Sequence, residues 1–235
     1  MDDLPTGIVT LFFTDIAGST ALWERHPHVM PAAYARHNAI LRDSIESFGG
    51  VVFKTVGDAF CAAFTDAPAA LAAALAAQRA LCAEEWGVIG SLRVRIALHT
   101  SAVEMRDGDY FGPPLNRVAR LLSAGHGGQT LLSLATQEQV CEHLPPGAEL
   151  CDLGEHRLKD LIHPEHIFQF VAPGLPNDFP ALRTGTNQTS EQRAWKQAKL
   201  PDMPGIDYDV VLEKDRQLNR RRRSRKKKTE TGDLF

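Results

Sequence analysis

The stretch VVFKTVGDAFCAAF, residues 51–64, decides the fold because it reads as a β-hairpin set between two helices. Two runs rich in β-branched and aromatic residues flank a Gly-Asp pair, which is typical of two strands joined by a tight turn. Before it, GIVTLFFTDI (7–16) resembles a buried strand, and residues 21–48 read as helix interrupted by two prolines. After it, the alanine-rich run 66–85 predicts a helix and the alternating run 92–105 a long strand. The order β-α-β-β-α-β predicts a ferredoxin-like α+β domain, with an antiparallel sheet and the helices on one face.

A smaller α/β extension is expected after this core. The segment RDGDYFG predicts a turn, and PPLNRVARLLSAG (113–125) predicts a helix opened by proline and closed by glycine. A short helix near 134–144 follows, and strand-like pieces lie near 148–153 and 166–171. These elements make up the smaller extension that follows the first six.

The composition changes towards the C terminus. We expect one domain over residues 1–172 and a linker with a basic, disordered tail over 173–235, where periodicity fades. Residues 1–185 carry 13 Lys and Arg against 21 Asp and Glu, whereas residues 186–235 carry 13 against 8. The block LNRRRRSRKKKT (218–229) is expected to be solvated, and its charge also suits contact with anionic surfaces. Because no aromatic residues are interleaved with it, we expect no specific nucleic-acid partner.

The overall composition is that of a soluble globular protein, with 235 residues, 43% hydrophobic and 23% charged. No apolar run approaches the ~20 residues of a membrane span, and the acidic start MDDLPTG does not resemble a signal peptide. We therefore expect a cytoplasmic protein. The four cysteines lack CxxC spacing, which favours reduced thiols, and the nine histidines lack the spacing of a zinc site.

Two aspartates are candidate metal ligands. Asp15 closes the first predicted strand, and Asp58 lies in the turn after the second. In a split β-α-β unit these strands run parallel, so their C-terminal ends lie at the same edge of the sheet. Two neighbouring carboxylates repel unless a cation lies between them, and such oxygen ligands suit Mg²⁺ or Mn²⁺, with the Ile16 carbonyl as a further ligand. Taken singly, Asp15 also suits a helix cap and Asp58 an ordinary turn residue.

A second pair suits a nucleotide base. Lys54 precedes Asp58 by four residues, and Asp109 lies in the turn before a helix. They offer the donor and the acceptor that an adenine edge requires, whereas guanine reverses those demands. Without other evidence for a nucleotide, Lys54 also reads as a solvated strand end and Asp109 as a turn residue.

One face of the predicted helix 113–125 carries a third pair. Asn116 and Arg120 are four residues apart and so share a face, where an amide and a guanidinium suit a phosphate that gains charge during reaction. The alternative is an ordinary surface pair. Arg117 is expected to face solvent.

Four segments together resemble a known family. FFTDIAGST, GGVVFKTVGDAF, LRVRIALHT and GDYFGPPLNRVARLLSAGHGGQTLLS are similar, in order and spacing, to the catalytic domain of class III adenylate and guanylate cyclases. The similarity runs from Gly7 to Val171. It implies an adenylate cyclase, which converts ATP to 3′,5′-cyclic AMP and pyrophosphate with two Mg²⁺ or Mn²⁺ ions.

The resemblance assigns roles residue by residue. Asp15 and Asp58 match the metal-binding aspartates, Lys54 and Asp109 the adenine-selecting pair, and Asn116 and Arg120 the residues that orient the ribose and stabilise the transition state. Lys159 is the candidate for the family's phosphate-binding lysine. A head-to-tail homodimer is also implied, in which one chain supplies the aspartates and the other chain the remaining residues.

Other functions stay open from sequence alone. A catalytically silent cyclase-like domain that binds nucleotide or a regulatory partner is the main alternative, although such a module has no need of Asn116 or Arg120. A nucleic-acid-associated protein led by its basic tail is another. Guanylate cyclase activity is less favoured because Lys54 and Asp109 match adenine.

Overall fold

The computed structural model describes residues 4–106 and 109–184. Its helices are α1 (Ser19–Arg25), α2 (Met30–Glu46), α3 (Ala67–Ala83), α4 (Pro113–Ala124) and α5 (Leu134–Val140). Its strands are β1 (Ile8–Ile16), β2 (Val51–Val56), β3 (Ala59–Phe64), β4 (Val94–Ala102), β5 (Glu104–Arg106), β6 (Asp109–Phe111), β7 (Thr130–Ser133), β8 (Glu149–His156) and β9 (Glu165–Val171). One 3₁₀ turn spans Gly87–Ile89.

Seven strands form one sheet in the order β2-β3-β1-β4-β7-β9-β8. The first four reproduce the ferredoxin-like arrangement, because β3 is antiparallel to both β1 and β2, and β1 is antiparallel to β4. Strands β7, β9 and β8 extend the sheet beyond β4, and β4–β7 is a parallel pair. The ferredoxin-like α+β class predicted from sequence is confirmed, together with its small C-terminal extension.

Strand β1 is buried on both faces, which explains its almost continuous apolar sequence. Phe12 and Ile16 pack on the side of α2 and α3, whereas Leu11 and Phe13 pack on the side of α4. Asp15 has the same parity as Leu11 and Phe13, so the alternation of a strand places it on the α4 side.

Helices α2, α3 and α5 contribute to one hydrophobic cluster. Five alanines of α3 are buried, so the helix lies close to its neighbours without long side chains. Its N terminus is capped, because the Asp66 carboxylate accepts the Ala69 N–H at 2.9 Å.

Helix α4 lies on the opposite face of the sheet. Val118, Leu121 and Leu122 pack with residues of β1 and β7 in the second cluster. The expectation of helices on one face therefore applies to α2, α3 and α5, while α4 covers the other face. Because β1 and β4 carry apolar side chains on both faces, the second face also needs a helix to shield it from water, and α4 fills that place.

Two element boundaries differ from the sequence expectation. The region 21–48 forms two helices separated near Pro27, and Pro31 lies in the first turn of α2, where its missing N–H removes no helical bond. The predicted strand 92–105 ends as β4 at Ala102 and resumes as β5 in a two-stranded ribbon with β6.

Residues 173–184 return to the domain. The Arg183 N–H donates to the Ala124 carbonyl at 2.9 Å, and His126 stacks on Phe179 at 6.5 Å. These residues belong to the predicted linker and tail 173–235, of which residues 185–235, including the basic block, lie outside the described part of the chain. Within the described part of the chain, no helix has the length and apolar character to cross a bilayer.

Candidate active site

The ends of β1 and β2 bring Asp15 and Asp58 together. The Ile16 backbone N–H donates to Asp58 Oδ2 at 2.7 Å, which ties the β2–β3 turn to the end of β1. Gly57 has φ of 59°, a conformation that glycine adopts without strain, and this turn directs Asp58 towards β1. The two aspartates are thus neighbours, as the split β-α-β topology predicts.

Tyr34 of α2 supports the same turn, and sequence reasoning missed it. Its hydroxyl donates to the Gly57 carbonyl at 2.8 Å. One helical turn later, His37 stacks on Tyr34 and meets the edge of Phe60. Burial lowers the pKa of His37, so a neutral imidazole lies behind the turn.

Arg95 of β4 is the second residue that sequence reasoning missed. Its Nε and Nη2 donate to Asp15 Oδ1 and Oδ2, both at 2.6 Å, in a two-pronged ion pair. The two residues are direct cross-strand partners in the β1–β4 register. Both side chains are mostly buried, with 16% and 14% exposed.

The electrostatics of Asp15 reflect two opposing influences. Burial raises the pKa of its carboxyl, the Arg95 guanidinium opposes that rise, and the nearby charge of Asp58 adds to it. The two neighbouring carboxylates are a donor set that fits a hard divalent cation, which would share the oxygens of Asp15 with Arg95. Among the described residues no group of three or more His, Cys, Asp and Glu side chains gathers at one point, so Asp15 and Asp58 are the two carboxylates that a cation could use here.

Lys54 and Asp109 form an ion pair on the α4 side of the sheet. Lys54 Nζ donates to Asp109 Oδ2 at 2.8 Å, and Asp109 Oδ1 accepts the Tyr110 N–H at 2.8 Å. The ring of Phe53 packs edge-on against Tyr110 at 4.8 Å, which joins β2 to the β5–β6 ribbon. Residues 55 positions apart in sequence therefore present one amine and one carboxylate together.

Helix α4 displays Asn116 and Arg120 away from its packed stripe. Asn116 is exposed, and the Arg120 side chain is 39% exposed. This matches the expected shared face. None of the hydrogen bonds among the described residues joins Asn116 or Arg120 to Asp15 or Asp58; Arg120 is bound to Asp160 instead.

The solvent-facing orientation expected for Arg117 is wrong. Arg117 Nη1 pairs with the buried carboxylate of Glu165 at the start of β9. The helical spacing 117, 121, 124 puts Arg117 on the stripe of Leu121 and Ala124, which faces the sheet. The pair fixes α4 to the C-terminal extension.

Lys159 is exposed and lies beside Asp160 in the β8–β9 loop. Because Asp160 binds Arg120, the loop brings Lys159 to the neighbourhood of the α4 pair. The eight candidate residues thus form two groups: Asp15, Ile16 and Asp58 at the β1 end, and Lys54, Asp109, Asn116, Arg120 and Lys159 around β6 and α4.

Known proteins are similar to this chain in sequence and in fold. The model of the adenylate and guanylate cyclase catalytic domain matches residues 2–160. An uncharacterised protein of Mycobacterium tuberculosis is 44% identical over 182 residues, which cover 77% of this chain and 61% of that protein. The chain thus spans about three fifths of that relative's length. The adenylate cyclase of Schizosaccharomyces pombe is 37% identical over 154 residues, covering 55% of this chain and 9% of that enzyme.

A solved structure of an adenylate cyclase has a similar fold. An adenylate cyclase of Trypanosoma brucei, solved in its monomeric state, superposes with a TM-score of 0.69 at 30% identity, covering 77% of this chain and 98% of that one. Sequence and fold therefore agree over the region that holds every candidate residue. The chain belongs to the adenylate and guanylate cyclase catalytic-domain family.

Proposed function

We propose that this cyclase domain is an adenylate cyclase, which converts ATP to 3′,5′-cyclic AMP and pyrophosphate at a site shared between two chains of a homodimer. The observation that carries the choice of ATP is the Lys54–Asp109 pair, at 2.8 Å. It presents an amine donor to adenine N1 and a carboxylate acceptor to the exocyclic amino group. Guanine, with a carbonyl oxygen and an N1–H in those places, meets the wrong partner at each.

Asp15, Asp58 and the Ile16 carbonyl are the proposed ligands of two Mg²⁺ or Mn²⁺ ions. When bound, the ions supply positive charge that offsets the triphosphate and favours the attacking 3′ oxygen. The chain's own contribution is to hold the ligands in place, through the Tyr34 bond to the Gly57 carbonyl and the Ile16 N–H bond to Asp58. Arg95 gives the Asp15 carboxylate a fixed orientation.

Asn116, Arg120 and Lys159 are proposed to act on the ribose and phosphates. The Asn116 amide orients the ribose so that its 3′ oxygen faces the α-phosphorus. The bond from that oxygen to the α-phosphorus forms as the bond from the α-phosphorus to the bridging oxygen of the β-phosphate breaks, so that pyrophosphate leaves and the 3′ proton passes to water. Arg120 stabilises the charge that develops on the phosphate, and Lys159 binds the triphosphate.

A head-to-tail homodimer accounts for the separation of the two groups. Asn116 and Arg120 point away from the packed side of α4, and their described hydrogen bonds do not reach Asp15 or Asp58. In the proposed dimer, the aspartates of one chain meet Lys54, Asp109 and the α4 residues of the other. A single chain is then inactive.

The test is a cyclase assay with ATP and GTP in parallel, with Mg²⁺ or Mn²⁺, over a range of protein concentration. We expect cyclic AMP, a strong preference for ATP, and a specific activity that rises with concentration as dimers form. Asp58→Asn keeps an acceptor for the Ile16 N–H but weakens metal binding, so it is expected to lose activity while remaining folded. No cyclic nucleotide at any concentration, or full activity of Asp58→Asn, contradicts the proposal.

A further inference from the structure

Asp160 forms an ion pair with the guanidinium of Arg120, the group that the proposed reaction needs. Arg120 Nη2 donates to Asp160 Oδ2 at 2.6 Å, with 39% and 63% of the two side chains exposed. We propose that Asp160 competes with the substrate for Arg120, an inference that rests on the function proposed above. The Asp160 carboxylate binds Arg120 until a nucleoside triphosphate displaces it, and this competition lowers the affinity for the triphosphate.

The backbone at Asp160 is unusual in a way that supports a dedicated role. Among the described residues, Asp160 is the one non-glycine with positive φ, at 62°. Aspartate tolerates this left-handed conformation better than most residues, but glycine adopts it without strain. Strained backbone is retained where the surroundings hold it in place, and such positions cluster at functional sites.

The surroundings do hold it. The turn that carries Asp160 is closed by the Leu161 N–H, which donates to the Leu158 carbonyl at 3.2 Å. Leu158 is 2% exposed and packs in the cluster under α4. A few residues on, Glu165 pairs with Arg117 of the same helix. The loop is therefore fixed against α4 on both sides of Asp160. This anchoring holds the Asp160 carboxylate beside Arg120.

The charge arrangement makes this carboxylate unfavourable for a triphosphate. Lys159 and Arg120 are the cations proposed to bind phosphates, and Asp160 follows Lys159 directly in the sequence and pairs with Arg120. It neutralises Arg120 and repels the incoming anion. Exposed ion pairs of this kind shift an equilibrium by up to about fivefold, so substrate is able to displace the carboxylate.

Two substitutions separate charge from backbone. Asp160→Asn removes the charge and retains a side chain that tolerates positive φ, whereas Asp160→Gly removes both the charge and the strain. Glu46→Gln removes one charge from an exposed pair with Arg42 on α2 and is the matched control. The readouts are the KM for ATP and calorimetric binding of α,β-methylene-ATP with Mg²⁺ to the full-length protein.

We expect both Asp160 variants to bind the analogue about two- to fivefold more tightly than the wild type, with a matching fall in KM. The gain should shrink at high salt, because exposed charges are screened. Glu46→Gln should leave both values unchanged. Unchanged or weaker binding by Asp160→Asn overturns the inference, as does a gain confined to Asp160→Gly, which would assign the effect to the backbone.

These outcomes are distinct from failure of the proposed function. If the wild-type protein makes no cyclic nucleotide, the cyclase proposal fails, whereas the analogue-binding comparison still tests Asp160. If the wild type is active and Asp160→Asn instead lowers kcat without tightening binding, Asp160 orients Arg120 for the reaction, and the competitor role is wrong.

Discussion

Removing Arg95 should destabilise the metal-free protein, and a divalent cation should restore part of the loss. Asp15 and Arg95 are 14% and 16% exposed and share two hydrogen bonds of 2.6 Å. Arg95→Met keeps much of the side-chain stem but leaves the Asp15 carboxylate buried beside Asp58 without its cation. Breaking one side of a buried ion pair costs about 3–5 kcal/mol, and the residual exposure favours the lower end.

The expected loss is large enough to measure by thermal unfolding. A change of about 3 kcal/mol lowers the Tm of a domain of this size by roughly 6–12 °C. The scan is run at pH 8, well above the ordinary pKa range of a carboxyl group, in EDTA and then with excess Mn²⁺. A ligand at about 100 times its dissociation constant stabilises by about 2.7 kcal/mol, so Mn²⁺ should raise the Tm of Arg95→Met by several degrees. The rise should exceed that of the wild type, in which Arg95 already neutralises Asp15.

The matched control is an exposed pair. Arg42 and Glu46 are both about half exposed at 51% and 55%, so Arg42→Ala should cost less than about 1 kcal/mol and show no Mn²⁺ dependence beyond that of the wild type. The reasoning is refuted if Arg95→Met in EDTA unfolds at the same temperature as Arg42→Ala. Equal Mn²⁺ shifts in Arg95→Met and the wild type would show that Arg95 does not compete with metal at Asp15.

Three further predictions concern pH, packing and substrate choice. Burial, with a smaller effect from the charge of Arg117, lowers the pKa of His99 to about 4, so below pH 6.5 the unfolded chain binds a proton that the folded chain does not. The free energy of unfolding should therefore fall by up to about 3 kcal/mol from pH 6.5 to 4, and His99→Gln should show a shallower loss in urea titrations at several pH values. Gly50→Ala should lose about 1–3 kcal/mol in the same titration at pH 7, because a Cβ there would lie 2.3 Å from Phe64 Cζ. Lys54→Glu combined with Asp109→Ser reverses the donor and acceptor, so the ratio of kcat/KM for ATP over GTP should fall by at least about tenfold.

Each of these has a contrary result. An equal acid slope in His99→Gln would mean that its imidazole is not held neutral by burial. Wild-type stability of Gly50→Ala would mean that the Phe64 ring has room to move. An unchanged ATP preference in the double variant would remove Lys54 and Asp109 from base selection.

Local patterns were sufficient for the core of the fold. The apolar run of β1, the Gly57-Asp58 turn and the Asp66 cap each act over a few residues, and each was predictable. The proximity of Asp15 and Asp58 also followed, because it depends on topology alone.

Contacts that depend on register or on loop conformation were not predictable. Arg95 meets Asp15 only because β1 and β4 pair in one register, which fixes which side chains face each other. The Asp160 contact with Arg120 requires a positive φ in a loop, for which an aspartate gives little signal. Arg117 was misjudged for another reason: its charge suggested solvent, although its helical spacing from Leu121 placed it on the packed stripe.

The most direct test of the central claim, an adenylate cyclase site shared between two chains, joins two inactive variants in one dimer. Asp58→Asn lacks a proposed metal ligand and Arg120→Ala lacks the guanidinium proposed to stabilise the transition state, so each alone should retain about a hundredth of wild-type activity or less. Co-expressed with different affinity tags and purified through both, the mixed dimer has one intact site of two. We expect it to make cyclic AMP at about half the wild-type rate. A mixed dimer no more active than either parent would contradict the shared site.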